Sequence, residues 1–238
     1  METLEKLQSI INDSFTAEEI LTAAVQTAGL SKVVLASSLS VEDQALTHML
    51  CKSNVQPRIF TLDTGRLFPE TYETMEKTMA RYGFRYEILA PDSSELEEMV
   101  GTYGPNLFYQ SIELRKKCCM VRKINPLKRV LSTADIWICG LRREQAVTRT
   151  TIEPVEWDAS NNLVKVNPLY NWSEKDVWSF IEKHEIPFNQ LQLNGFRSIG
   201  CAPCTRAIKD EEDLRAGRWW WEEPEHKECG LHNRPKKN

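Results

Sequence analysis

Short β-branched runs alternating with helical stretches constrain this chain more than any other feature. Residues 32–36, 58–62, 84–89 and 135–139 read as strands. Helical periodicity separates them at about 42–52, 69–82 and 111–131. Such alternation predicts an α/β fold, a mostly parallel twisted sheet with helices on both faces. Sheets of this kind bind ligands at the carboxyl ends of their strands. Ahead of the sheet, 4–11 is amphipathic, and Thr16 to Glu19 forms a capping box for a helix that Gly29 closes. After Gly140 the pattern changes: 151–157 and 163–166 flank the polar turn 158–162 as a hairpin. Ser173 and Asp176 then cap a helix carrying Val177, Trp178, Phe180 and Ile181. Beyond Pro187 loops are expected, with a short helix near 210–216 and an irregular end. The expected organisation is one domain over 1–238, its N-terminal helices within 1–30 and a mobile C-terminal tail over 206–238.

Charge narrows the function classes. With 30 basic and 34 acidic residues among 238, the net charge of −4 gives no global reason for a nucleic-acid or membrane partner, so anion binding must be local. The N-terminus lacks a basic stretch followed by an apolar one, and no run approaches the ~20 apolar residues of a membrane span. An odd count of seven cysteines without a secretion signal fits a reducing, cytoplasmic setting rather than a disulfide framework.

Four of those cysteines form two pairs, Cys118-Cys119 and Cys201-x-x-Cys204. Four thiolates suit zinc or an iron–sulfur cluster. Adjacent side chains on a helix point about 100° apart, so the abutting pair can meet one centre only if the chain distorts there or the centre is large. A bland reading makes Cys118 and Cys119 small buried hydrophobes. Against it, Arg115, Lys116, Lys117, Arg122 and Lys123 crowd the pair, a density that thiolate charge beside an anionic substrate would explain. Cys51 and Cys139 read as core filler, and Cys229 as a tail thiol near His226, Lys227 and His232, whose cations would raise its thiolate fraction.

Other candidates lie at expected strand ends. The loop Ser37-Ser38-Leu39-Ser40-Val41-Glu42-Asp43 offers hydroxyls and a helix start to an anion, although the same residues suit an ordinary N-cap. Asp63 and Thr64 follow the second strand, where a plain turn would also use them. Arg142 and Arg143 follow the fourth; forked guanidinium pairs recognise phosphate or sulfate, and also decorate solvated surfaces. Arg215 and Arg218 would share a face if helical, beside Trp219, Trp220 and Trp221, of which some must pack inward.

Taken together, these motifs resemble the phosphoadenylyl/adenylyl-sulfate reductases over most of the chain. The resemblance rests on Leu62-Asp63-Thr64-Gly65-Arg66, Cys118-Cys119-x-x-Arg122-Lys123, Gly140-Leu141-Arg142-Arg143-x-Gln145, Gly200-Cys201-x-Pro203-Cys204, Arg215-x-Gly217-Arg218-Trp219 and Glu228-Cys229-Gly230-Leu231-His232, in that order. Ser40 stands where that family usually has glycine, and Ala146 where serine is common. The resemblance implies an adenine nucleotide alpha hydrolase-like fold of the PP-loop type. It implies one 4Fe-4S cluster per subunit on Cys118, Cys119, Cys201 and Cys204, and a preference for adenosine 5′-phosphosulfate that goes with the paired cysteines. It further implies Ser37, Ser38, Asp63, Thr64, Lys123, Arg142, Arg143, Arg215, Arg218 and His232 as substrate contacts, with Cys229 as nucleophile and thioredoxin or a similar dithiol as reductant. Rival readings are a reductase of the 3′-phosphorylated nucleotide or of both, a PP-loop tRNA sulfurtransferase, and a zinc-stabilised interaction domain. The N-terminal helices or exposed tryptophan offer a surface for a homo-oligomer.

Overall fold

A computed structural model describes residues 2–53, 56–145, 151–209 and 211–223. Two helices, α1 (Glu2–Ile10) and α2 (Ala17–Ala28), precede the sheet. The capping box of α2 forms as expected: the Glu19 amide donates to Thr16 Oγ1 at 3.2 Å, and the Thr16 amide to Glu19 Oε2 at 2.7 Å. Gly29 closes α2 with φ +80°, a conformation that side chains resist.

The sheet then assembles from β1 (Val33–Ala36), β2 (Arg58–Leu62), β3 (Glu87–Leu89), β4 (Ile136–Ile138), β5 (Val155–Asp158) and β6 (Leu163–Val166). Its order is β3-β2-β1-β4-β6-β5, and every pairing is parallel except the β5–β6 hairpin at one edge. Consecutive residues of β1, β4 and β6 are buried, which requires cover on both faces and explains the apolar runs of β1 and β4; in β6 the run is broken by buried Lys165, whose ammonium lies 5.0 Å from the Trp137 ring. Between the strands run α3 (Val41–Lys52), α4 (Pro69–Tyr82), α5 (Ser93–Tyr103), α6 (Ile112–Cys119) and α7 (Asn125–Leu131), and α8 (Glu174–Lys183) follows the hairpin. Chain direction across the sheet reverses at β1 and β4, and the crevice outside their carboxyl ends is where such folds take ligands.

Three departures from the sequence reading matter. Helix α5 was not expected; only its Met99 is fully buried, so its apolar period is faint, and its clearest signal is the Asp92 cap. The helix expected over 111–131 is interrupted: Met120–Ile124 is a π turn, with the Asn125 amide reaching the Met120 carbonyl. The distortion begins one residue after the abutting Cys118-Cys119 pair, which itself ends α6. No helix forms over the described residues of 210–216. There the chain doubles back, bridging Thr205 to Arg218, and the Gly217 backbone sits so close that a Cβ would lie 2.3 Å from the Arg206 carbonyl.

A second core, apart from the one around the sheet, gathers Met99, Phe108, Val121, Trp219 and all four paired cysteines. Among the described residues, no helix is long and apolar enough to cross a membrane.

Candidate functional site

The loop after β1 opens one side of a cavity of about 300 Å³ at the switch point. Leu39 there adopts φ +62° although it is not glycine, and its buried side chain holds that turn in place. Ser40 caps α3, with its Oγ facing the Asp43 amide at 3.5 Å, so this serine has a structural use where the resembled family has glycine. Ser38 donates from both its amide and its hydroxyl to Asp43 Oδ2, at 2.7 and 2.6 Å. Burial raises the Asp43 carboxyl to about 6; Ser38 partly offsets this, and the neighbouring Glu42 charge adds to it. Glu42 Oε1 accepts from Arg142 Nε and Nη2 at 3.0 and 2.9 Å, and from Gln145 Nε2 at 2.9 Å. Gly140 closes this wall: a Cβ there would lie 2.4 Å from Asp43 Oδ1.

Ser37, Ser38, Thr64, Lys123, Arg142, Arg215 and Arg218 all line this cavity, brought from loops after three strands, from the π turn and from the returning segment. Phe60, Leu127 and Trp137 give it an apolar floor. Cys139 packs in the sheet core as expected and also lies at this wall, where burial pushes its thiol pKa up. Arg215 and Arg218 reach the cavity from turns, so the shared helical face expected for them is not what brings them together.

Two expected contacts lie elsewhere. Asp63 is not on the lining; its Oδ1 accepts from the Gly65 amide and the Tyr72 hydroxyl, both at 2.8 Å, which makes it a turn former. Arg143 turns away from the cavity, because its Nε donates to the Ile152 carbonyl at 2.7 Å and its guanidinium stacks on Tyr170 at 4.8 Å. Cys229 and His232 lie outside the described residues.

Cys118, Cys119, Cys201 and Cys204 line a second, smaller cavity next door. The Ala202 amide donates to the Arg66 carbonyl at 2.8 Å, tying the Cys201-x-x-Cys204 turn to the loop after β2. Cys201 Sγ sits 3.3 Å from Thr64 Oγ1. Although burial opposes it, Lys123, the Thr64 hydroxyl and Arg218 together lower the Cys201 thiol pKa. Burial, with Cys201 and Cys119 nearby, instead raises Cys204 to about 12. Of the five cations adjacent in sequence, Arg115, Arg122 and Lys123 turn inward, whereas Lys116 and Lys117 are exposed. Arg66 and Arg218 take their places around the thiols. Arg115 is fully buried in an ion pair with Glu222 at 2.6 Å and lies over Trp219. Sequence reasoning missed Glu222 entirely and named Glu42, Asp43 and Arg66 only as parts of motifs; no local pattern marks Glu222 as a partner of Arg115.

Among the described residues, no three His, Cys, Asp or Glu side chains converge tightly enough to hold one metal ion. Four thiols around a common cavity, with guanidinium and ammonium groups behind them, fit a wider polynuclear group better than a single zinc. Lys123, Arg218 and Trp219 belong to both cavities, so the thiol site and the cation-lined crevice share a wall.

The strand order and crevice define an α/β protein whose mostly parallel six-stranded sheet has the fold of adenine nucleotide alpha hydrolase-like proteins. Residues 32–207 match the phosphoadenosine phosphosulfate reductase domain, and the chain belongs to that family. It is 52% identical over 205 residues to an adenosine 5′-phosphosulfate reductase of Allochromatium vinosum, covering 86% of this chain and 80% of that one. To the Sinorhizobium fredii (strain USDA 257) protein of the same name it is 41% identical over 232 residues, covering 97% and 92%. A solved phosphoadenylyl-sulfate reductase from Candida auris superposes with a TM-score of 0.72 at 23% identity, covering 87% of this chain and 96% of that one, which speaks to the fold.

Proposed function

We propose that the protein is an adenylyl-sulfate reductase of sulfate assimilation, converting adenosine 5′-phosphosulfate to sulfite and AMP. The observation that carries this reading is the wall shared by the two cavities, where Lys123 and Arg218 face both the cysteines and the crevice. Relatives bearing that activity in their names match most of the chain.

In this reading the nucleotide lies across the strand ends near Ser37 and Ser38, and Lys123, Arg142, Arg215 and Arg218 bind the phosphosulfate. Their charge offsets that of the leaving phosphate. The thiolate of Cys229 attacks the sulfate sulfur; the bond from sulfur to the bridging oxygen breaks, AMP leaves with the electron pair, and Cys229 carries an S-sulfonate. A dithiol such as thioredoxin then attacks Cys229 Sγ and expels sulfite. Its second thiol resolves the mixed disulfide, so the dithiol supplies both electrons. Cys118, Cys119, Cys201 and Cys204 would hold a 4Fe-4S cluster, whose bound charge would orient Lys123 and shape the local field. His232 would steady the segment around Cys229, and a reducing cytoplasm suits these thiols.

Mass spectrometry of anaerobically purified protein mixed with adenosine 5′-phosphosulfate tests this. A gain of ~80 Da on the Cys229 peptide, lost on adding dithiol and absent from Cys229→Ser, is expected. No adduct on iron-replete protein would overturn the reading, and an adduct only with the 3′-phosphorylated nucleotide would reassign the substrate.

A further inference from the structure

The turn that carries β1 into α3 directs its hydrogen-bond donors inward. The Ser37 amide donates to the Phe60 carbonyl at 2.8 Å, and the Leu39 amide to Ser37 Oγ at 3.3 Å. Between them, Ser38 gives both its amide and its hydroxyl proton to one carboxylate oxygen, Asp43 Oδ2. An ionised carboxylate accepts and does not donate, so the direction of the 2.6 Å bond between the two oxygens is fixed. Asp43 is buried behind the turn, whereas Ser38 is exposed and lines the larger cavity. A serine hydroxyl has one proton and two lone pairs. With the proton held by Asp43, what Ser38 Oγ offers the cavity is an acceptor. Directly beyond, the first turn of α3 carries Glu42 and Asp43, which already complement the positive end of the helix. A turn built to cradle an anion would instead aim its N–H and O–H groups at the ligand.

We propose that Ser38 Oγ accepts a hydrogen bond from the nucleoside, so that the serine turn reads the adenosine part of the substrate and not its phosphosulfate. The inference deepens the function proposed above and rests on it. A phosphosulfate at neutral pH presents only acceptor oxygens, which have no proton to give to Ser38 Oγ. The donors that adenosine 5′-phosphosulfate carries are the adenine 6-amino group and the two ribose hydroxyls. A lone pair of Ser38 Oγ can receive any of these, and the carboxylate behind the hydroxyl polarises the chain and strengthens the bond. Turning the Ser38 hydroxyl around to donate to a phosphate would take a hydrogen bond from a buried carboxyl group, which is costly.

Titration calorimetry of the full-length, iron-replete protein tests the proposal with AMP, 2′-deoxy-AMP, 3′-deoxy-AMP and purine riboside 5′-monophosphate, the last three each lacking one donor. Measured at about pH 8, both Asp43 and the ligand phosphate are ionised. Ser38→Ala is expected to bind AMP about tenfold more weakly than wild type does, and at least one of the three analogues equally well. The analogue whose affinity does not change names the donor: the purine riboside points to the 6-amino group, a deoxynucleotide to the missing hydroxyl. Ser38→Thr keeps the hydroxyl and should restore the wild-type pattern. Inorganic pyrophosphate, a probe without a nucleoside, should bind wild type and Ser38→Ala alike. Should Ser38→Ala fail to fold, Ser38→Gly makes the same deletion. A loss of equal size for AMP and all three analogues would overturn the proposal, as would unchanged AMP binding or weakened pyrophosphate binding in the variant. Failure of wild type to bind AMP at all would overturn the function proposed above, and the role of Ser38 with it.

Discussion

Arg115 shows how one side chain couples the two ends of the thiol site. It is fully buried, paired with Glu222 and laid over Trp219, while its backbone belongs to the helix that presents Cys118 and Cys119. Removing one partner of a buried pair strands the other charge, at a cost of about 3–5 kcal/mol. Glu222→Ala should therefore lower stability by about that amount, read as a fall in urea midpoint at unchanged slope, whereas an exposed pair such as Glu73–Lys77 should contribute little. Asp43 gives a second prediction. Its folded pKa of about 6 lies above the ordinary 3.8, so its protonated form is favoured in the folded state. The stability this group contributes is complete below about pH 3.8 and is lost as pH rises through about 6, a difference of about 3 kcal/mol. Asp43→Asn should flatten the part of the stability profile between those values, measured by denaturant titration across pH; an unaltered profile would assign the slope to other groups.

Elements meet at Gly140, where the exit of β4 touches the first turn of α3. A methyl group at this position would lie 2.4 Å from Asp43 Oδ1 and 3.0 Å from Glu42 Cβ. Gly140→Ala should push the serine loop and Glu42 out of register, lowering affinity for AMP by about tenfold or more while the sheet, whose ladder at β4 is untouched, keeps most of its stability. Calorimetric binding and thermal melting of the same sample would check both halves. At this scale the sequence was a good guide where a local signal exists. The Thr16 and Ser173 capping boxes, and the helical stretch 69–82 that becomes α4, all appear where the residues imply them. It was a poor one for α5, whose mostly exposed surface weakens the apolar period, and for Arg143, whose direction depends on the Ile152 carbonyl and the Tyr170 ring far from it in sequence.

At the scale of the molecule, the sheet core and the thiol core are chemically different. The sheet core is largely aliphatic, with Phe60, Tyr86, Trp137 and Tyr170 among its aliphatic side chains, whereas the second core is built around four thiols and bounded by buried cations. If those thiols carry a cluster, its loss should loosen the second core first. Cys201→Ser should lose iron and nucleotide reduction together. Limited proteolysis should then cut near 107–124 and 199–221 before it cuts the sheet, and iron analysis beside the digest would check this. Uniform cleavage of both cores would show instead that they unfold as one unit.

The sequence by itself determined the strand–helix alternation, and with it the parallel sheet and the crevice at its carboxyl edge, because hydrophobic period and capping chemistry are local properties. It also determined the identity of the four thiols and of the cations that accompany them. Only the tertiary structure decided which charges serve them. Lys116 and Lys117 are adjacent to the cysteine pair yet lie on the exposed side of their helix, Lys117 over the Tyr103 ring, while Arg66 and Arg218 arrive from distant loops. The buried pairs of Arg115 with Glu222 and Arg142 with Glu42 were likewise invisible, since ion pairing between residues a hundred positions apart leaves no periodic trace in the chain.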